Sequence, residues 1–65
     1  MMSNMIVRRV SKRSTQAMIS GLRAAGLTVI KHAGIYECKQ GDKLLFAALN
    51  GKRDYLVRMR ADLFS

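Results

Sequence analysis

The fold is decided by residues 26–60, which read GLTVIKHAGIYECKQGDKLLFAALNGKRDYLVRMR. Along this stretch apolar residues tend to recur at every second position, and turn-forming residues follow at short intervals. This pattern is typical of an antiparallel meander. It predicts four strands at residues 27–32, 35–39, 43–49 and 54–60. The predicted turns are Ala33-Gly34, Gln40-Gly41-Asp42 and Asn50-Gly51, each with a residue that tolerates positive φ.

A helix is predicted before the meander, between a serine cap at Ser11 or Ser14 and the stop at Gly26. Its apolar face carries Met18, Ile19, Leu22 and Ala25. With Gly26 in the left-handed conformation, Leu27 folds back onto Leu22, as in a Schellman motif. This is the best-specified boundary in the chain.

A weakly alternating, β-branched run at residues 5–10 predicts one more strand at the start. The order is therefore β-α-β-β-β-β. The predicted fold is a single small α+β domain over residues 1–65, with one helix packed on one face of an antiparallel sheet. A two-residue turn at Ala33-Gly34 would place Val29 opposite Cys38 and Lys31 opposite Tyr36. The last hairpin is expected to have a two-residue loop at Asn50-Gly51 or a four-residue loop ending at Arg53.

The two faces of the predicted sheet differ in composition. The face expected to meet the helix carries Leu44, Phe46, Ala48, Tyr55, Val57 and Met59. The opposite face carries a candidate interface of Leu45, Ala47, Leu49 and Leu56. One helix cannot cover both faces, so this patch predicts a homodimer or another protein partner, unless Leu63 and Phe64 fold over it. Leu45→Glu is then expected to disrupt the assembly and spare the fold.

The chain is strongly basic, with 12 Lys and Arg against 4 Asp and Glu and a formal net charge of +8. Such a charge favours acidic partners. The candidate contacts to nucleic acid or to an acidic partner form three groups: Arg8, Arg9, Lys12 and Arg13; Lys52 and Arg53; Arg58 and Arg60. Grouped cations on turns and at a helix start suit phosphate contacts. Tyr36 and Tyr55 are expected to face the core, which leaves Phe64 as the aromatic residue free to touch a ligand.

The sequence predicts no catalytic residue, no metal site and no cofactor. His32 lies beside Lys31 without a second acid-base group, and the carboxylates do not cluster. Cys38 is the only cysteine, and a buried thiol is inert. A chain that cannot form an internal disulfide and shows no signal peptide is expected in the cytoplasm. No apolar stretch is long enough to span a membrane.

Two functions fit these features. The first is a small basic protein that binds the nucleic-acid backbone without reading base sequence. The alternative is a phage-type inhibitor or adaptor that docks on a nucleic-acid-handling complex through the apolar patch and its basic rim. Compact, Pro-free reading frames of this size are typical of such inhibitors, including anti-CRISPR proteins. An enzyme and a small-molecule substrate are not expected.

Overall fold

The computed structural model describes residues 5–63 and confirms the predicted fold class. In chain order the elements are β1 (Met5–Ser11), α1 (Lys12–Ala24), β2 (Val29–His32), β3 (Ile35–Gln40), β4 (Lys43–Asn50) and β5 (Asp54–Arg60). The five strands form one antiparallel sheet in the order β1-β5-β4-β3-β2. The first strand thus pairs with the last. No helix within residues 5–63 is long and apolar enough to cross a membrane.

Both ends of α1 are capped by local sequence. Ser11 is the N-cap, and its hydroxyl accepts a hydrogen bond from the Ser14 backbone N–H at 3.1 Å. At the other end Gly26 has φ +88°, and the Leu27 N–H donates to the Leu22 carbonyl at 3.0 Å. With the Gly26 N–H donating to the Arg23 carbonyl, this is the predicted Schellman motif. The motif also explains why β2 begins at Val29 and not at Leu27.

The core lies between α1 and one face of the sheet. Its buried members are Ile19, Leu22, Val29, Cys38, Leu45, Phe46, Ala48, Tyr55, Val57 and Met59. The predicted helix face is correct for Met18, Ile19 and Leu22, but Ala25 is the exposed C-cap. Thr15 is buried in its place, because it lies one turn before Ile19. Its hydroxyl donates to the Ser11 carbonyl at 2.9 Å, which satisfies the buried oxygen.

The first hairpin has the predicted register. Val29 pairs with Cys38 and Lys31 with Tyr36. Ala33 and Gly34 both have positive φ, 51° and 79°, which is the geometry of a type I′ turn. The last hairpin has four loop residues, as in the second predicted alternative, but they are residues 51–54 between the pair Asn50 and Tyr55 and not residues 50–53. The register differs from both alternatives by an even number of residues, so the side chains of β5 and those of β4 from Phe46 onward keep their predicted faces.

The prediction for Leu45 is wrong. Cys38 pairs with Phe46 and Lys39 with Leu44, so Leu45 is an extra residue in a β-bulge. The bulge turns Leu45 into the core, where it is 4% exposed, and puts Leu44 on the opposite face beside Lys39. These two neighbouring leucines have exchanged their predicted roles. Leu45→Glu would therefore bury a charge in the core and unfold the protein.

The face of the sheet opposite α1 is called the open face below. Leu63 packs against the core cluster and not on the open face. The idea that the C-terminal residues cover the open face is therefore wrong for Leu63. Phe64, which was expected to be free for ligand contact, lies outside the described residues.

Candidate nucleic-acid interface

One end of the sheet gathers cationic side chains from two separate segments of the chain. Because β1 pairs with β5, Ser11 at the end of β1 lies opposite Asp54 at the start of β5. The start of α1 and the β4–β5 turn therefore meet at this end. We call it the cationic end and define it by Arg9, Lys12, Arg13, Lys52 and Arg53. All five residues are exposed.

A shallow groove at the cationic end is lined by Arg9, Lys52, Arg53 and Asp54. Arg9 Nη1 lies 3.6 Å from Asp54 Oδ1, and the Arg9 side chain is largely exposed. An exposed ion pair of this length contributes little to stability. Asp54 offsets one of the three cations around the groove, so the groove keeps a net positive charge.

The first turn of α1 adds positive charge at the same place. Lys12 and Arg13 open the helix, and its first turn contains no acidic residue. The helix dipole already makes this end positive, so cations here are unfavourable by about 0.3–1 kcal/mol each. A bound anion would reverse that penalty, because its charge would interact favourably with the helix dipole and with both cations.

Two tyrosines connect Lys12 to a further cation, Lys31. Lys12 Nζ lies 5.9 Å from the Tyr55 ring centroid, and Lys31 Nζ lies 5.4 Å from that of Tyr36. The two rings meet edge to face with centroids 5.9 Å apart. Gln16 donates a hydrogen bond to Tyr36 Oη at 3.4 Å, and this bond, helped by the charge of Lys31, lowers the pKa of the Tyr36 phenol. The rings hold cations in place and are not free to stack on bases.

Three of the cations that were predicted as candidate contacts lie outside the cationic end. Arg8 is exposed but pairs with Val57, so it lies on the α1 side of β1, an edge strand. Arg58 lies at the centre of the open face, opposite Ala47. Arg60 lies at the far end of β5, where its Nη2 donates to Asp62 Oδ2 at 3.1 Å. Its Nε is buried without a hydrogen-bond partner. Arg60 therefore belongs to the packing of the opposite end.

Only two of the four residues of the predicted apolar patch are exposed on the open face. Leu49 and Leu56 pair on the open face and are 41% and 38% exposed. Ala47 lies on the same face but is buried between larger neighbours. Val7 and Ile30 join the patch at 56% and 61% exposure, and sequence reasoning missed both. The sequence signal that could have identified Val7 and Ile30 is that each follows a residue that packs in or against the core, Ile6 and Val29, and so points to the other face.

The other side chains in residues 5–63 that could carry chemistry are Cys38, His32 and the carboxylates. In that range no three His, Cys, Asp or Glu side chains come close enough to hold a metal ion. Cys38 is a free and fully buried thiol, and burial raises its pKa. His32 is exposed at the end of β2. The arrangement supports binding of anions and of apolar surfaces.

Comparisons of the chain with protein families, with curated proteins and with solved structures find no match.

Proposed function

We propose that this protein binds the phosphate backbone of nucleic acid through the cationic end, without reading base sequence and without a catalytic step. The single observation that carries the proposal is the groove in which Arg9 of β1 and Lys52 and Arg53 of the β4–β5 turn surround one carboxylate, Asp54, at the end of the sheet where α1 begins. Backbone recognition needs several cations spread over a surface and not one deep pocket. The expected place of action is the reducing cytoplasm, because the only thiol is unpaired.

The position of the basic residues supports this proposal over simple solubility. Cations that only keep a domain soluble have no reason to collect at a helix N-terminus, where the dipole opposes them. Base-specific readout is not proposed. A protein that reads the bases of a duplex usually inserts a helix or a β-ribbon into the major groove. The apolar face of α1, in contrast, packs against the sheet.

The test is fluorescence anisotropy with several unrelated duplexes over a range of salt concentrations. The variant Lys52→Gln/Arg53→Gln removes two cations from the cationic end. The control Lys39→Gln/Lys43→Gln removes the same charge from the opposite end, where β3 meets β4. The log-log salt dependence should lose about 0.9 for each phosphate contact removed, hence about 1.8 for the first variant.

The control should keep the wild-type slope, and unrelated sequences should bind about equally. Equal loss in both variants would mean that net charge alone drives binding, without a defined site. Absence of binding at low salt to duplexes and to single strands would refute the proposal.

The alternative is that the protein is an inhibitor or adaptor that docks on a nucleic-acid-handling protein complex. The observation that favours it is the exposed apolar patch on the open face, rimmed by arginines. Affinity capture before and after nuclease treatment separates the two functions. A stoichiometric protein that survives nuclease and is lost in Leu49→Arg would favour the alternative.

A further inference from the structure

The middle of the open face consists of side chains in two rows that run straight across the sheet, and Arg60 and Lys39 lie in a further row toward the end opposite the cationic end. The central row contains Val7, Arg58, Ala47, Glu37 and Ile30, each paired directly with the next. The second row contains Arg9, Leu56, Leu49, Ile35 and His32. Directly paired residues of antiparallel strands point to the same face. The order of residues in each row is therefore fixed by the sheet itself.

The exposed apolar surface of the described chain is concentrated on this face. The large hydrophobic side chains that are clearly exposed within residues 5–63 are Val7, Ile30, Leu49 and Leu56, and all four lie in the two rows. A contiguous patch of this kind marks an interaction surface.

The open face is also much closer to neutral than the rest of the molecule. Its cations are Arg9, Lys39, Arg58 and Arg60, of which Arg9 and Arg60 pair with Asp54 and Asp62. At its centre Arg58 and Glu37 lie on opposite sides of Ala47. An acidic partner would gain little here, because it would meet Glu37 as well as Arg58. A surface with the same alternation of charge fits better.

We propose that the open face binds the open face of a second copy of this chain, about a two-fold axis parallel to β4 through Ala47. Rotation about this axis exchanges the β5 side of one sheet with the β3 side of the other. Arg58 of each copy then lies over Glu37 of the other, so two reciprocal ion pairs form. The centre of the face is self-complementary in charge, as a two-fold contact requires. In the next row the same rotation brings Arg60 over Lys39 of the second copy, a like-charge contact that Asp62, which pairs with Arg60, offsets in part.

The apolar side chains match under the same rotation. Leu49 meets Leu49 of the second copy close to the axis, and Leu56 meets Ile35. At the margins Val7 of one copy meets Ile30 of the other. The two sheets would pack about 10 Å apart as an aligned β-sandwich.

The other aligned two-fold arrangement, with an axis across the strands, is disfavoured by charge. An axis through the central row would place Arg58 over Arg58 and Glu37 over Glu37, and like charges opposed in a partly desolvated contact are strongly unfavourable. An axis midway between the two rows would place Arg58 over Leu56 and Glu37 over Ile35, so both charges would be covered without a partner. The charge pattern therefore selects the axis parallel to β4.

The size of the face sets the strength of the dimer. Five strands about 4.8 Å apart and two rows of side chains give a footprint of about 20 by 15 Å per copy. This footprint of about 300 Å² per copy is smaller than that of standard specific interfaces, so we expect a weak dimer with a dissociation constant on the order of 100 micromolar. In the dimer both cationic ends lie at the same end of the sandwich. The inference does not rest on the proposed function.

The test is sedimentation equilibrium without nucleic acid, at about 0.15 M salt, where screening limits the repulsion between net charges. The variants are Arg58→Glu, Glu37→Arg and the double exchange Arg58→Glu/Glu37→Arg. Each single exchange opposes like charges and should weaken the dimer at least tenfold. The double exchange restores opposite charges and should return the dissociation constant to within about threefold of wild type. Far-UV circular dichroism of each variant checks that the fold is retained.

A monomeric wild type at several hundred micromolar would overturn the proposal, and would leave the open face to a different protein. If neither single exchange changes the dissociation constant of the dimer, the proposed axis is wrong. If a single exchange unfolds the protein, Leu49→Arg replaces it, because that side chain is already partly exposed. A folded Leu49→Arg variant that still dimerises as tightly as wild type would also refute the proposal.

Discussion

The β-bulge makes a sharp prediction about Leu45 and Leu49, two leucines of the same strand. Leu45 is 4% exposed and belongs to the core cluster, whereas Leu49 is 41% exposed on the open face. Leu45→Ala should therefore destabilise the fold much more than Leu49→Ala. Without the bulge, strand alternation would place both leucines on the open face, and the two losses would be similar.

The magnitude follows from burial and from the surroundings. Truncation of a buried leucine to alanine costs about 2–5 kcal/mol. Leu45 borders a shallow groove with Leu27, Gln40 and Leu63, so neighbours and water can fill part of the space. We expect a loss near the lower end, about 2–3 kcal/mol, against about 1 kcal/mol or less for Leu49→Ala. A core in a chain of this size supplies about 3–5 kcal/mol in total, so Leu45→Ala removes about two fifths of it or more.

Urea denaturation followed by far-UV circular dichroism measures this difference. It is run at the lowest practical protein concentration, so that weakening of the proposed dimer does not add to the effect of Leu49→Ala. Leu45→Ala should also lower Tm by about 8–24 °C, because 1 kcal/mol corresponds to about 4–8 °C in a domain of this size. Equal losses, or a larger loss for Leu49→Ala, would refute the bulge and the assignment of Leu45 to the core.

Three further predictions concern local features of the fold. Ala33 has φ +51° in a type I′ turn, so Ala33→Asn should raise the free energy of unfolding by about 0.5–1 kcal/mol in urea denaturation, and no gain would contradict the turn type. Ser11→Ala removes the helix cap and should lower that free energy by about 1 kcal/mol, with Ser20→Ala, an exposed mid-helix serine, as the control. Cys38 is fully buried and its pKa is raised, so the native thiol should react with a disulfide reagent at pH 8 only as fast as the protein opens, whereas the urea-unfolded chain reacts at once. Rapid reaction of the native protein would show that Cys38 is accessible.

Much of this fold could be predicted from local sequence. The stop at Gly26, the turn at Ala33-Gly34 and the serine cap each depend on residues within one turn of chain. The face of nearly every strand residue followed from alternation. The bulge could not be predicted, because Leu44 and Leu45 are both leucines and the pattern permits either one in the core.

The residues of the candidate site could be predicted from the sequence, but the surface that they form together could not. The sequence identified the basic groups around Lys12 and Lys52, but their meeting depends on the pairing of β1 with β5, which are far apart in the chain. No local signal specifies that pairing. Alternation along β5 already predicts Arg58 and Arg60 on the face opposite the helix. The pairing with β1 makes β5 an interior strand, so Arg58 lies near the centre of the open face. Val7 also joins the apolar patch only because β1 lies beside β5.

We propose above that the cationic end is the surface that meets nucleic acid. A titration of the isotopically labelled protein with a short duplex, followed by backbone amide chemical shifts, tests this directly. We expect saturable shifts at residues 9–13 and 51–54, with residues 22–25 and 41–43 at the opposite end unchanged. Shifts centred on Ala47, Leu49 and Leu56 of the open face, or no saturable shift at low salt, would contradict it.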